Sequence, residues 1–81
     1  MEGPPPEAEQ KKKEGNEAFS SKDYPRAIGL YTEAIELHPR GHVYYSNRSA
    51  CYAAQGDHVK AAEDAAKCVE LEPTFIKGYY R

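Results

Sequence analysis

Two polar pairs stand four residues apart in this 81-residue chain, Lys12 with Asn16 and Lys77 with Arg81. In a helix that spacing puts both members of a pair on one face. Ammonium, guanidinium and amide groups arranged in this way suit the holding of an anion such as a carboxylate, and not the making or breaking of bonds. Asn16 and a further asparagine, Asn47, fall inside stretches that otherwise favour helix, where asparagine has no propensity reason to be. His38, His42 and His58 are separated by helix-breaking residues, and Cys51 and Cys68 form no close-spaced pair, so no metal site is expected. There is no Ser/His/Asp or Cys/His arrangement and no phosphate-binding glycine loop, so no catalytic residue is assigned and no cofactor is implied. Asn47-Arg48-Ser49 fits the glycosylation pattern but lies in a predicted helix, and the polar Met-Glu-Gly-Pro-Pro-Pro start has no apolar signal region.

The length allows one small domain. Hydrophobic residues are 40% and charged residues 30% of the chain, a soluble and compact composition. Eleven Lys and Arg against thirteen Asp and Glu leave a net charge of −2, which argues against a general nucleic-acid binder. Apolar runs reach only two or three residues, as in Val43-Tyr44-Tyr45, so no membrane span is expected. Two cysteines do not make a secreted disulfide framework, so the expected setting is reducing and cytoplasmic, with the nucleus also open.

Residues 8–41 superpose on residues 42–75 at an offset of 34. Asp23 falls on Asp57, Ala27 on Ala61, Glu36 on Glu70, Leu37 on Leu71 and Pro39 on Pro73. A third unit opens at Ile76 and the chain stops at Arg81. Each full unit reads as two helices. The first unit has helices over 7–21, after Pro6, and from Pro25 to His38, with Asp23 in the capping region and the stripe Ala27, Ile28, Tyr31, Ala34, Ile35 and His38. The second has helices from about His42 to Gln55 and from about His58 to Leu71, the latter with the stripe Ala61, Ala62, Ala65, Cys68 and Val69. Glu63, Asp64, Glu70 and Glu72 are expected on the solvated outer face of that last helix. Small residues (Gly15, Ala18, Ala27, Ala34, Ser49, Ala53 and Ala61) mark the positions where paired helices would cross closely. No segment sustains the alternation of a strand, so the expected class is all-α. The expected organisation is a flexible proline-rich head over 1–6 and a helical repeat domain over 7–81, with repeats at 8–41 and 42–75 and part of a third at 76–81.

With Gly15, Ala27, Tyr31, Ala34 and Pro39 in the first unit and Tyr45, Tyr52, Ala61 and Pro73 in the second, the chain resembles the tetratricopeptide repeat. That likeness implies a helix-turn-helix solenoid, and it departs from the pattern at Lys11 and Ala65. A narrower resemblance lies in Lys12-Lys13-Glu14-Gly15-Asn16, Tyr45-Ser46-Asn47-Arg48-Ser49 and Ile76-Lys77-Gly78-Tyr79-Tyr80-Arg81. These segments are similar to the carboxylate-clamp cochaperones, which grip the C-terminal Glu-Glu-Val-Asp of cytosolic heat-shock chaperones of the 70 and 90 kDa classes. The resemblance implies a clamp of Lys12, Asn16, Asn47, Lys77 and Arg81, with Phe19, Ala50 and Ala53 lining the groove.

All five clamp positions belong to the first helix of a unit, and in a stacked array first helices line one concave surface. A chain ending in aspartate presents two carboxylates close together, which cations and amide donors can bracket. Other readings are a general repeat scaffold binding another helix or peptide, and a regulatory portion of a larger enzyme. The break in the third unit predicts an uncovered C-terminal face open to self-association, a frayed last segment, and a fragment of a longer cochaperone.

Overall fold

The structure, a computed structural model, describes residues 3–75. It contains four helices, α1 (Pro6–Ser20), α2 (Tyr24–Leu37), α3 (His42–Ala54) and α4 (His58–Leu71), and no strand among the described residues. Pro6 occupies the first turn of α1, where its missing N–H is not needed, and Glu7 and Glu9 complement the positive end of the helix dipole. α1 pairs with α2, α3 pairs with α4, and the two hairpins stack through α2 and α3.

The 34-residue period extends to the backbone. Asp23 caps α2 by accepting from the Arg26 N–H at 3.3 Å, and Asp57 caps α4 by accepting from the Lys60 N–H at 3.2 Å. Immediately before each cap the chain turns through the left-handed region, at Lys22 (φ 63°) and Gly56 (φ 83°). Each turn is closed by a long-reach bond, from the Asp23 N–H to the Ala18 carbonyl at 2.8 Å and from the Asp57 N–H to the Tyr52 carbonyl at 2.9 Å. Glycine takes that conformation freely, whereas Lys22 does so against a steric cost of about 1–2 kcal/mol.

The small residues act as spacers. Gly15, Ala18, Ala27 and Ala34 are buried between α1 and its neighbours, and Ser49 donates to the Ala61 carbonyl at 2.7 Å across the second hairpin. Ala18, Ala27, Leu30, Tyr31 and Cys51 form one apolar cluster, and Ala8, Ala34 and Tyr44 form another. Leu30, outside the expected stripe of α2, is buried in the first cluster, while Ile28 and Ile35 are half-buried at the margins.

The acidic face of α4 requires a correction. Glu63 and Glu70 are exposed and Glu72 is half-buried, but Asp64 is buried, and the expected stripe residue Ala62 is exposed in its place. The reason is Arg48. Its Nε and Nη2 donate to the two Asp64 oxygens at 2.7 and 2.8 Å, and its Nη1 donates to Thr32 Oγ1 at 3.0 Å. The Tyr45 and Tyr52 rings lie 5.6 and 5.8 Å from the guanidinium carbon. A forked, fully engaged ion pair is the condition under which a carboxylate can be buried. Arg48 thereby joins α2, α3 and α4, and Asp64 holds its guanidinium more firmly protonated than usual.

Candidate carboxylate-binding concavity

An open concavity of about 470 Å³ lies along the first helices of the two hairpins. α1 contributes Lys12, Asn16, Phe19 and Ser20, α3 contributes Val43, Asn47 and Ala50, and α2 contributes Tyr31. Lys12 and Asn16 share a face of α1 by their spacing of four. Asn47 meets them because α3 stacks on the first hairpin, chiefly against α2 and in a smaller contact against α1.

Asn47 Nδ2 lies 3.4 Å from Asn16 Oδ1, at the long end of a hydrogen bond, and Tyr31 Oη donates to that same oxygen at 2.5 Å. Two donors converging on one side of the Asn16 amide fix its orientation and leave its NH₂ for an acceptor in the concavity. Burial pushes the Tyr31 phenol up to about 12, so it donates throughout the neutral range.

Lys12 lies at the rim where this concavity meets a smaller one, of about 180 Å³, that also includes Glu9, His38, Arg40 and Tyr44. Its Nζ is 2.9 Å from Glu9 Oε1, while the Tyr44 hydroxyl donates to Glu9 Oε2 at 2.7 Å. The bond from Lys12, then that from Tyr44, holds the Glu9 carboxyl below its ordinary value. Burial, reinforced by Glu9, raises the Tyr44 phenol.

Of the residues expected to form the clamp, Lys12, Asn16 and Asn47 are thus brought together from separate helices, and Lys77 and Arg81 lie outside the described residues. Of the expected groove residues, Phe19 and Ala50 line the concavity with Val43, while Ala53 is half-buried one turn further along α3 and does not line it. Phe19 is 37% exposed with its ring edge-on to Tyr24 at 5.5 Å, which leaves apolar surface beside the asparagines. Tyr31 and Glu9 escaped the sequence reading. Tyr31 belongs to the packing stripe of α2, and its partner is 15 residues away, a distance that only the antiparallel hairpin closes. Among the described residues there is no group of three or more His, Cys, Asp or Glu that could hold a metal, and no helix long and apolar enough to cross a membrane.

No family model matches the chain. It is 54% identical over 74 residues to the heat shock protein sti1 homolog of Schizosaccharomyces pombe, covering 91% of this chain and 12% of that protein. Among solved structures, the Sgt2 tetratricopeptide-repeat domain of Aspergillus fumigatus superposes with a TM-score of 0.92 at 44% identity, covering 95% of this chain and 51% of that one. The first such domain of Spaghetti (RPAP3), bound to the HSP90 peptide SRMEEVD, superposes with a TM-score of 0.89 at 29% identity, covering 90% of this chain and 58% of that one. The chain spans 12% to 23% of the length of three curated relatives that it matches. Two hairpins repeating at 34 residues, crossing on small side chains and matching these domains in sequence and in space, make the chain a member of the tetratricopeptide-repeat family, with cochaperones of the Sti1 and Sgt2 kind as its relatives.

Proposed function

We propose that the concavity captures the C-terminal Glu-Glu-Val-Asp tail of cytosolic heat-shock chaperones of the 70 or 90 kDa class, and that the chain is an adaptor with no chemistry of its own. The observation that carries this reading is the meeting of Lys12, Asn16 and Asn47 in one concavity, with the Asn16 amide turned by Tyr31 so that its donor side is free. In this reading Lys77 and Arg81 supply the remaining cations of the bracket, and Arg81 engages one carboxylate bidentately. Phe19, Val43 and Ala50 offer an apolar wall to the side chain upstream of the terminal aspartate, with Ala53 further along the same path. The complex of RPAP3 with a peptide ending in Glu-Glu-Val-Asp supports the ligand class.

Charge-assisted hydrogen bonds of roughly 1.5–3 kcal/mol each, opposed by the ordering of a flexible tail, lead to a dissociation constant on the order of micromolar. Calorimetric titration with a Glu-Glu-Val-Asp peptide and with its C-terminally amidated form tests the reading. The free acid should bind and the amide should bind at least tenfold more weakly; equal binding sinks carboxylate capture. Titration with the 70 and 90 kDa tails side by side assigns the preferred class.

A further inference from the structure

Glu9 plays no part in the capture just proposed, yet it is bound to the one charged group that the described part of the concavity contains. The other described lining residues, Asn16, Phe19, Ser20, Tyr31, Val43, Asn47 and Ala50, carry no formal charge. Lys12 is the exception, and its Nζ is already engaged by a carboxylate oxygen at 2.9 Å. Glu9 is not a freely swinging surface acid: its second oxygen is anchored to α3 by the hydroxyl of Tyr44, a residue only 1% exposed. One carboxylate therefore bridges α1 and α3 and holds the Lys12 ammonium at the rim between the two concavities.

We infer that Glu9 is an internal competitor for the ligand carboxylate, a resident acid that occupies Lys12 in the free protein and sets the affinity of capture. The inference rests on the carboxylate-capture reading. An incoming acidic chain end must share or displace the Glu9 contact, so at Lys12 binding exchanges one ion pair for another instead of creating a new one. The remaining gain comes from the asparagine amides and from any further cations. Tyr44 keeps Glu9 from following the ammonium into the larger concavity, so Glu9 stays poised to recapture Lys12 when the ligand leaves. The pair is only partly exposed, with 28% and 39% of the two side chains accessible.

The experiment is calorimetric titration of a Glu-Glu-Val-Asp peptide into the wild-type chain, Glu9→Gln, Lys12→Ala and the double variant, at low and high salt. Glutamine still accepts from Tyr44, and circular dichroism checks that the helices are kept. Glu33→Gln serves as the charge control, because Glu33 pairs with Lys11, at 2.8 Å, outside the concavity. Glu9→Gln should tighten binding about two- to fivefold, the range for a partly exposed ion pair, and the gain should shrink at high salt. In the Lys12→Ala background the gain should vanish, and Glu33→Gln should give a smaller change than Glu9→Gln. Unchanged or weaker binding by Glu9→Gln, an equal gain from Glu33→Gln, or a gain that survives in Lys12→Ala each overturns the inference. A wild-type chain that fails to prefer the free acid over the amidated peptide overturns the capture reading itself, a separate and recognisable result.

Discussion

Tyr31, on the second helix of the first hairpin, donates its hydroxyl hydrogen to Asn16 Oδ1 at 2.5 Å, on the first. The tyrosine ring packs in the core, but its polar tip determines which way a ligand-facing amide points. Packing and recognition therefore share one side chain. Tyr31→Phe should keep the fold and weaken peptide binding by roughly 0.5–1.5 kcal/mol, the net contribution of one hydrogen bond. Calorimetry on the variant, with denaturation followed in parallel, separates the two effects. Binding equal to wild type would mean that Asn16 is oriented without Tyr31.

The spacer beneath the same ring is equally specific. A β-carbon on Gly15 would lie 2.6 Å from Tyr31 Cε1, far inside contact distance, and Tyr31 is both buried and hydrogen-bonded. Gly15→Ala should therefore destabilise the chain by about 1–3 kcal/mol despite the better helix propensity of alanine. Urea denaturation measures it, and a gain in stability would show that α1 and α2 can separate without cost.

Arg48 and Asp64 tie the second hairpin to itself and, through Thr32, to the first. Removing one partner leaves the other charge largely buried. Asp64→Ala should cost about 3 kcal/mol or more. Exchanging the whole pair for apolar residues of similar size should cost less than that single change. The two denaturation midpoints decide the matter, and a harmless Asp64→Ala would mean that Arg48 finds water instead.

Three buried acids raised above their ordinary values, the Tyr31 and Tyr44 phenols and the Cys51 thiol, limit stability at alkaline pH. The Tyr31 phenol is pushed from 10.0 to about 12 by burial, and the Cys51 thiol from 9.0 to about 11 by the same cause. A raised folded-state pKa contributes stability that is complete below the unfolded value and is lost as pH climbs through the folded one. Stability should thus be level up to about pH 9 and fall progressively through pH 11 and 12. Glu9 acts in the opposite sense: its lowered pKa contributes stability above 4.5 that is lost as pH falls through the folded value. Thermal melts across this range check both limbs, and Tyr31→Phe should remove part of the alkaline fall.

The repeat, the four helices and most of their ends were legible in the sequence because local signals repeat at a fixed period. Asp23 and Asp57 cap, Pro39 and Pro73 stop, and small residues recur where helices cross. Lys12, Asn16 and Asn47 could be singled out through the resemblance to the carboxylate-clamp pattern, to which the spacing of four and the presence of asparagine inside a helix add a physical reason. The partners of these residues were not legible. Nothing local ties Tyr31 to Asn16, Glu9 to Tyr44 or Arg48 to Asp64, which are 15, 35 and 16 residues apart. An acidic residue on a helix reads as solvated until a neighbouring helix delivers a guanidinium to it, and so Asp64 was assigned to the wrong face. Sequence by itself determined which elements form and, apart from Leu30, Ala62 and Asp64, which faces they bury, through short-range sterics and hydrophobic periodicity. Only the packing of one hairpin on the next decided which polar groups meet, because a hydrogen bond between helices depends on ångström-scale placement that no spacing along the chain encodes.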